Sequence, residues 1–253
     1  MRIDIARWAG HAGLAAVIAA SAACGSTEAA RFAPAAAAAP FADVTPREIA
    51  QSNAKVRMAY DALVGMWSDD LAERGARFVP PGLVRYRGAV RTPCGVMSGN
   101  NAAYCTARNT IYFDEIFVAR QAKEAALDLG TDGDMAAVGI IAHEMGHAVA
   151  MQLGVDSPVP YYNEAAADCL AGAFTSRSAL DGTLEAGDLD EAFHGLAASG
   201  DPTPQLTGNR RLDARITYRA ALLGHGTRDQ RLANFTAGYE GGADVCLAGM
   251  EGG

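Results

Sequence analysis

His143-Glu144-Met145-Gly146-His147 lies inside the apolar run Ala136, Val138, Ile140, Ile141, Ala142, Ala148 and Val149. Residues four apart share one face of an α-helix, so the imidazoles of His143 and His147 can reach one ion. Glu144 lies next to them and can address water instead of the ion. Two surface histidines on a polar helix face would be the plain alternative. The flanking residues are apolar, however, which marks a buried helix, and buried ionisable groups need partners. Structural zinc usually closes its shell with protein ligands, often thiolates, whereas catalytic zinc keeps three protein ligands and one open position.

A third ligand is suggested downstream. Asn163-Glu164-Ala165-Ala166-Ala167-Asp168 places two carboxylates four apart on one helical face. Glu164 could complete the shell, and Asp168 could accept the other ring N–H of a ligand histidine. An acidic, solvent-facing pair is the alternative, but the Ala and Cys neighbours argue for burial. Asp156 is another acid, in a loop without a second carboxylate in register. His225, beside Gly226, has two readings: a donor to the oxyanion formed in peptide hydrolysis, or a cap on the helix that ends near Gly224. Tyr161 and Tyr162, in a proline-containing loop, are rival donors, and His194 falls on a predicted helix as a surface or supporting residue.

Working outward, Thr45-Pro46-Arg47-Glu48 is a capping box with proline at the first helical position. It predicts a helix to about Gly75, with Val56, Tyr60, Leu63, Val64 and Trp67 inward. Short strands are expected at Leu83 to Tyr86 and Thr110 to Phe113. Helices are expected from Glu115 to Leu129, Met135 to Leu153, Asn163 to Ser176, Leu189 to Ala198 and Arg210 to Leu223. A second capping box, Thr227-Arg228-Asp229-Gln230, opens a helix to about Tyr239. Helices dominate a small sheet, so the fold class is α+β.

The N-terminus predicts export. Arg2 and Arg7 precede the apolar run Gly13 to Ala20, which is too short to span a bilayer, and small residues lead to Cys24. Residues 1–23 read as a signal peptide, and Cys24 as a lipidation site, with Ser21 where a large aliphatic residue is expected. Residues 24–44 form an Ala/Pro-rich tether, and 45–253 form the folded domain. With Cys24 lipidated, Cys94, Cys105, Cys169 and Cys246 remain, enough for two disulfides in an oxidising compartment. Four cysteines allow three pairings and the sequence alone does not choose. Cys94–Cys105, which closes a local loop, is favoured. The formal net charge is −8, and removing residues 1–23 leaves 19 basic against 28 acidic side chains, or −9. That balance argues against a nucleic-acid partner. The chain is expected in the cell envelope or outside it, with membrane contact only through the signal or lipid anchor.

His143-Glu144-x-x-His147 followed by Asn163-Glu164-x-x-x-Asp168 resembles the gluzincin arrangement of the thermolysin type. The closer resemblance, from about Trp67 to the C-terminus, is to the bacterial putative neutral zinc metallopeptidase family. It rests on Cys94-Gly95, Ala103-Tyr104-Cys105, Ile111-Tyr112-Phe113-Asp114 and the pentapeptide. Further marks are Ala167-Asp168-Cys169-Leu170-Ala171-Gly172, Gly187-Asp188, Glu191-Ala192, Gly200-Asp201, His225-Gly226-Thr227, Gln230-Arg231 and Cys246. The chain departs where Asn101-Ala102-Ala103 replaces a Gly-Pro-aromatic stretch and Thr106 a proline. The resemblance implies a zincin-like domain, zinc as cofactor, a peptide or protein substrate and a Cys169–Cys246 disulfide. Glu144 then reads as the base, which argues against a zinc-bearing envelope lipoprotein that only binds. A zinc hydrolase of non-peptide amides is the other alternative.

Overall fold

The structure is a computed structural model, described over residues 43–248; the expected signal peptide, the Cys24 site and nearly all of the tether lie outside that range. Helix α1 (Pro46–Glu73) opens on the Thr45 capping box: Glu48 N–H donates to Thr45 Oγ1 at 3.3 Å and Thr45 N–H to Glu48 Oε2 at 2.6 Å. Its buried stripe, Val56, Leu63, Trp67 and Leu71, recurs at helical spacing and joins the common core.

Five strands follow: β1 (Gly82–Tyr86), β2 (Val90–Thr92), β3 (Gly95–Met97), β4 (Ala102–Cys105) and β5 (Thr110–Asp114). One sheet has the order β1-β5-β4, with β1 parallel and β4 antiparallel to β5, and Tyr104 opposite Ile111. Strands β2 and β3 make a separate hairpin. Strands β1 and β5 lie where the sequence predicts them; β2, β3 and β4 were not expected, each being only three or four residues long, too short for an alternating pattern to register. The Cys94–Cys105 disulfide, with Cα atoms 5.8 Å apart, ties the hairpin turn to the end of β4.

Asp114 ends β5 and caps α2 (Glu115–Leu129), accepting the Ile116 N–H at 3.0 Å. Helix α3 (Asp134–Gln152) is central, apolar nearly all round, with Ile141, Met145, Ala148 and Val149 without solvent exposure. Helix α4 (Pro160–Leu180) is longer than the sequence reading at both ends. Pro160 takes a first-turn position, where a missing N–H costs nothing, so Tyr161 and Tyr162 lie on a helix and not in a loop. Helices α5 (Asp188–Ala198) and α6 (Arg210–Leu223) match their predicted spans closely. The last, α7 (Arg228–Ala248), begins on the Thr227–Gln230 capping box and runs past Tyr239 through a kink at Gly242, where φ is +69°.

Glycines set how closely α3, α4 and α7 pack. A Cβ on Gly146 would lie 2.7 Å from the Ala167 carbonyl oxygen, and one on Gly172 would lie 2.0 Å from that of Phe235. On α7, a Cβ on Gly238 would collide with the Cys169 carbonyl at 1.8 Å. The helices therefore meet backbone to backbone, which brings side chains one turn away into contact. The Cys169–Cys246 disulfide, with Cα atoms 5.6 Å apart, closes the α4–α7 pair across 77 residues of sequence.

Loop-closure entropy predicts that opening this bridge is costly. Replacing both Cys169 and Cys246 by alanine should lower unfolding free energy by about 4 kcal/mol, measured by denaturant unfolding of parent and variant.

Candidate metal centre

Helix α3 presents His143, Glu144 and His147, and α4 presents Glu164 and Asp168. His143 Nε2 lies 3.1 Å from Glu164 Oε2 and 3.2 Å from His147 Nε2, and His147 Nε2 lies 3.5 Å from Glu164 Oε1. A tetrahedral site with ligand bonds of about 2.0–2.1 Å has donor atoms about 3.3 Å apart. Two imidazole nitrogens and a carboxylate oxygen at these separations therefore fit a single zinc-sized ion, and the three residues form one of two clusters able to hold a metal among the described residues.

His143 is fixed from behind. Its Nδ1 lies 2.7 Å from Asp168 Oδ1, which is fully buried. This is the contact expected of Asp168, and it leaves Nε2 aimed at the donor set. Asp168 is in turn gripped by Arg231 on α7, which donates from Nη2 to Oδ1 at 2.7 Å and from Nε to Oδ2 at 3.1 Å. Arg231 also donates from Nη1 to the Ser199 carbonyl at 3.2 Å. The sequence alone points to Arg231 only through Gln230-Arg231 among the family marks, because nothing local links it to a residue 63 positions earlier.

The electrostatics follow from burial and crowding. Burial alone would push the His143 imidazole down, but the charge and hydrogen bond of Asp168, with Glu164 and Glu144 near, hold it up at about 10. Burial would raise the Glu164 carboxyl, but hydrogen bonds from His143 and His147 hold it well below the usual carboxylate range. A divalent ion bound among these donors would compete with the proton that Asp168 and Glu164 favour on His143.

Glu144 is buried beside the cluster but outside it. Its Oε2 accepts the Tyr104 N–H of β4 at 2.7 Å, and Oε1 makes no hydrogen bond among the described residues. Strand β4, which has no signature in the sequence, is thus what holds Glu144. The cleft in front has a volume of about 580 Å³ and is lined by all three donor residues, by Glu144 and by His225. His225 is exposed at the rim, its Nδ1 3.8 Å from Asp201 Oδ1. Asp201 also accepts the His225 and Gly226 N–H groups at 2.5 and 3.0 Å, fixing the turn.

The remaining candidates lie apart from the donors. Asp156 borders the cleft but is outside the donor cluster. The Tyr161 ring rests against Gly226, 2.9 Å from where a Cβ would stand, and Tyr162 is exposed. His194 pairs with Asp128 at 2.8 Å, between α5 and α2. In the second acidic cluster, Asp132, Asp134, Asp188 and Glu191, three acids have structural duties: Glu191 accepts the Gly133 and Met135 N–H groups at the start of α3, Lys55 pairs with Asp134, and Asp188 accepts the Glu185 N–H. Burial, with the charges of Asp134 and Glu191 near, pushes the Asp188 carboxyl up to about 6.

Comparison with known proteins adds a family. The family described as "Putative neutral zinc metallopeptidase" matches residues 17–247. A protein of Escherichia coli (strain K12) named "Uncharacterized protein YpfJ" is 33% identical over 192 residues, covering 70% of this chain and 63% of that protein. The protein of the same name in Escherichia coli O6:H1 matches to the same extent. The chain therefore spans less than two thirds of the length of these relatives. No solved structure matches.

The buried Asp168–Arg231 pair gives a test of the support behind His143. Asp168→Asn should weaken zinc binding by about 10–100-fold, measured by competition with a chelating dye. Arg231→Met should cost about 3–5 kcal/mol of stability by removing the guanidinium from a buried carboxylate and leaving only His143 to it, measured by chemical denaturation.

Proposed function

The chain belongs to the putative neutral zinc metallopeptidase family, and on that footing we propose that it hydrolyses peptide bonds with one zinc held by His143, His147 and Glu164. The observation that carries this reading is the convergence of those three donors, 3.1–3.5 Å apart, on a cleft that also holds an uncommitted Glu144 oxygen. Zinc, when bound, polarises a carbonyl and lowers the pKa of water to about 7.

The chain's own residues supply the rest. Glu144 takes a proton from the attacking water on Oε1 and delivers it to the leaving amine, while the Tyr104 amide keeps the carboxylate aimed. His225 donates a hydrogen bond from Nε2 to the developing oxyanion, with Asp201 beside Nδ1 to orient the ring. Asp168 and Arg231 hold His143 in place. Strand β4 favours a peptide over other amides. It is an edge strand, and the alternation of strands turns the Ala102 backbone groups the same way as the Tyr104 N–H, toward the cleft. The cleft lining includes Phe117, Ile140 and Leu196 with Ala136, Gly139 and Gly195, which suits an apolar substrate side chain. Glu144 also disfavours a purely binding role, since its Oε1 serves no structural contact among the described residues. The two disulfides support an exported enzyme of the cell envelope or beyond, with Cys24 as the proposed lipid anchor.

Separating metal retention from turnover tests this mechanism. Glu144→Gln should retain zinc yet cleave a denatured protein at least about 100-fold more slowly. His225→Ala should retain zinc and lose about 100-fold in kcat, whereas His143→Ala should lose the metal. Cleavage by Glu144→Gln at the parent rate would show that Glu144 is not the base.

A further inference from the structure

Alone among the described α-helices, α6 (Arg210–Leu223) buries none of its residues. Asp213, Ile216, Ala220 and Ala221 are half-buried and mark its inner side. The outer side carries Leu212, Tyr218, Leu222 and Leu223, all exposed, with Leu223 at 76% and Tyr218 at 59%. Interleaved with them are Arg211, Arg215 and Arg219, and Arg210 adds a fourth guanidinium at the start. The single acid, Asp213, accepts N–H groups from Thr207 and Gly208. None of the four arginines pairs with a carboxylate among the described residues. This cationic, apolar strip belongs to a chain whose net charge is −8.

We propose that α6 docks the protein onto an anionic phospholipid surface. The charge is complementary to lipid phosphate, and guanidinium forks match phosphate oxygens two at a time. Leucines between the arginines can enter the acyl boundary while the arginine stems run up to the headgroups, and a tyrosine ring sits well at that depth. A second copy of the chain is a poor occupant, because a two-fold contact through this face would set arginines against arginines. No described helix is long and apolar enough to cross a membrane, so the contact is one of surface docking. It adds a second contact to the single N-terminal anchor expected from the sequence, and it stands apart from the peptidase reading, since no residue of α6 lines the cleft.

The test is co-sedimentation of the full chain with vesicles of phosphatidylcholine alone or mixed with phosphatidylglycerol. The parent should prefer the anionic vesicles, and the preference should shrink as salt rises. Each arginine near such a surface contributes about fivefold, so Arg211→Gln, Arg215→Gln and Arg219→Gln together should lower that preference by about 100-fold. Leu222→Ser with Leu223→Ser should weaken binding to the anionic vesicles with the charges intact. All these positions are exposed, and unchanged circular dichroism melts would confirm that the variants fold. Equal binding of the parent to both vesicles, or variants that bind like the parent, would overturn the proposal. Retention on immobilised polyglutamate without preference for anionic vesicles would assign the strip to an acidic protein partner and overturn it as well.

Discussion

Asp168 has no solvent exposure, and a carboxylate in that position is tenable only if its oxygens are fully engaged. Arg231 takes both oxygens and His143 shares one of them. Three helices are bound by that requirement. Helix α4 supplies the acid, α7 the guanidinium and α3 the imidazole, so the pair forms only where the three backbones come close. The glycines at 146, 172 and 238 permit that approach, and the Cys169–Cys246 bridge holds it from the far side. The geometry of the donor set is thus a consequence of how a buried ion pair is satisfied. A buried pair of this kind adds little net stability over an apolar core, but it fixes the orientation of His143, the proposed metal ligand.

The other wall of the cleft is built on different principles. Glu144 shares α3 with the two histidines, yet its carboxylate turns to the backbone of β4. The position of β4 depends on its pairing with β5 and on the Cys94–Cys105 bridge to the hairpin. The proposed base and the proposed metal ligands are therefore oriented by separate parts of the fold. His225 is oriented by a third part, the Asp201 turn that joins the approach to α6 with the start of α7.

Legibility in the sequence tracked the range of the interaction. His143 and His147, and Glu164 and Asp168, are pairs four apart on helices, and local periodicity was enough to place them on one face each. The Thr45 and Thr227 caps were legible for the same reason. Arg231 and Asp201 act on partners more than twenty residues away, and the Tyr104 amide is a backbone group with no side-chain signature. Element ends failed where local signals conflict. Pro160 reads as a loop residue but starts α4, and α7 runs past Tyr239, its expected end, through a kink at Gly242. The short strands β2 to β4 exist through tertiary pairing and a disulfide, not through propensity of their own.

Two clusters of metal-capable side chains lie in the described fold, one at His143, His147 and Glu164 and one at Asp132, Asp134, Asp188 and Glu191. Nitrogen donors suit zinc and an all-carboxylate set does not, and Glu191 of the second cluster already accepts two N–H groups at the start of α3. The most direct measurement is therefore anomalous diffraction at the zinc absorption edge from crystals of the protein as purified. One zinc peak is expected, within about 2.0–2.2 Å of His143 Nε2, His147 Nε2 and a Glu164 oxygen, with a fourth position open to the cleft. A peak at the Asp132 cluster instead, or none at the two histidines in protein that cleaves peptides, would contradict it.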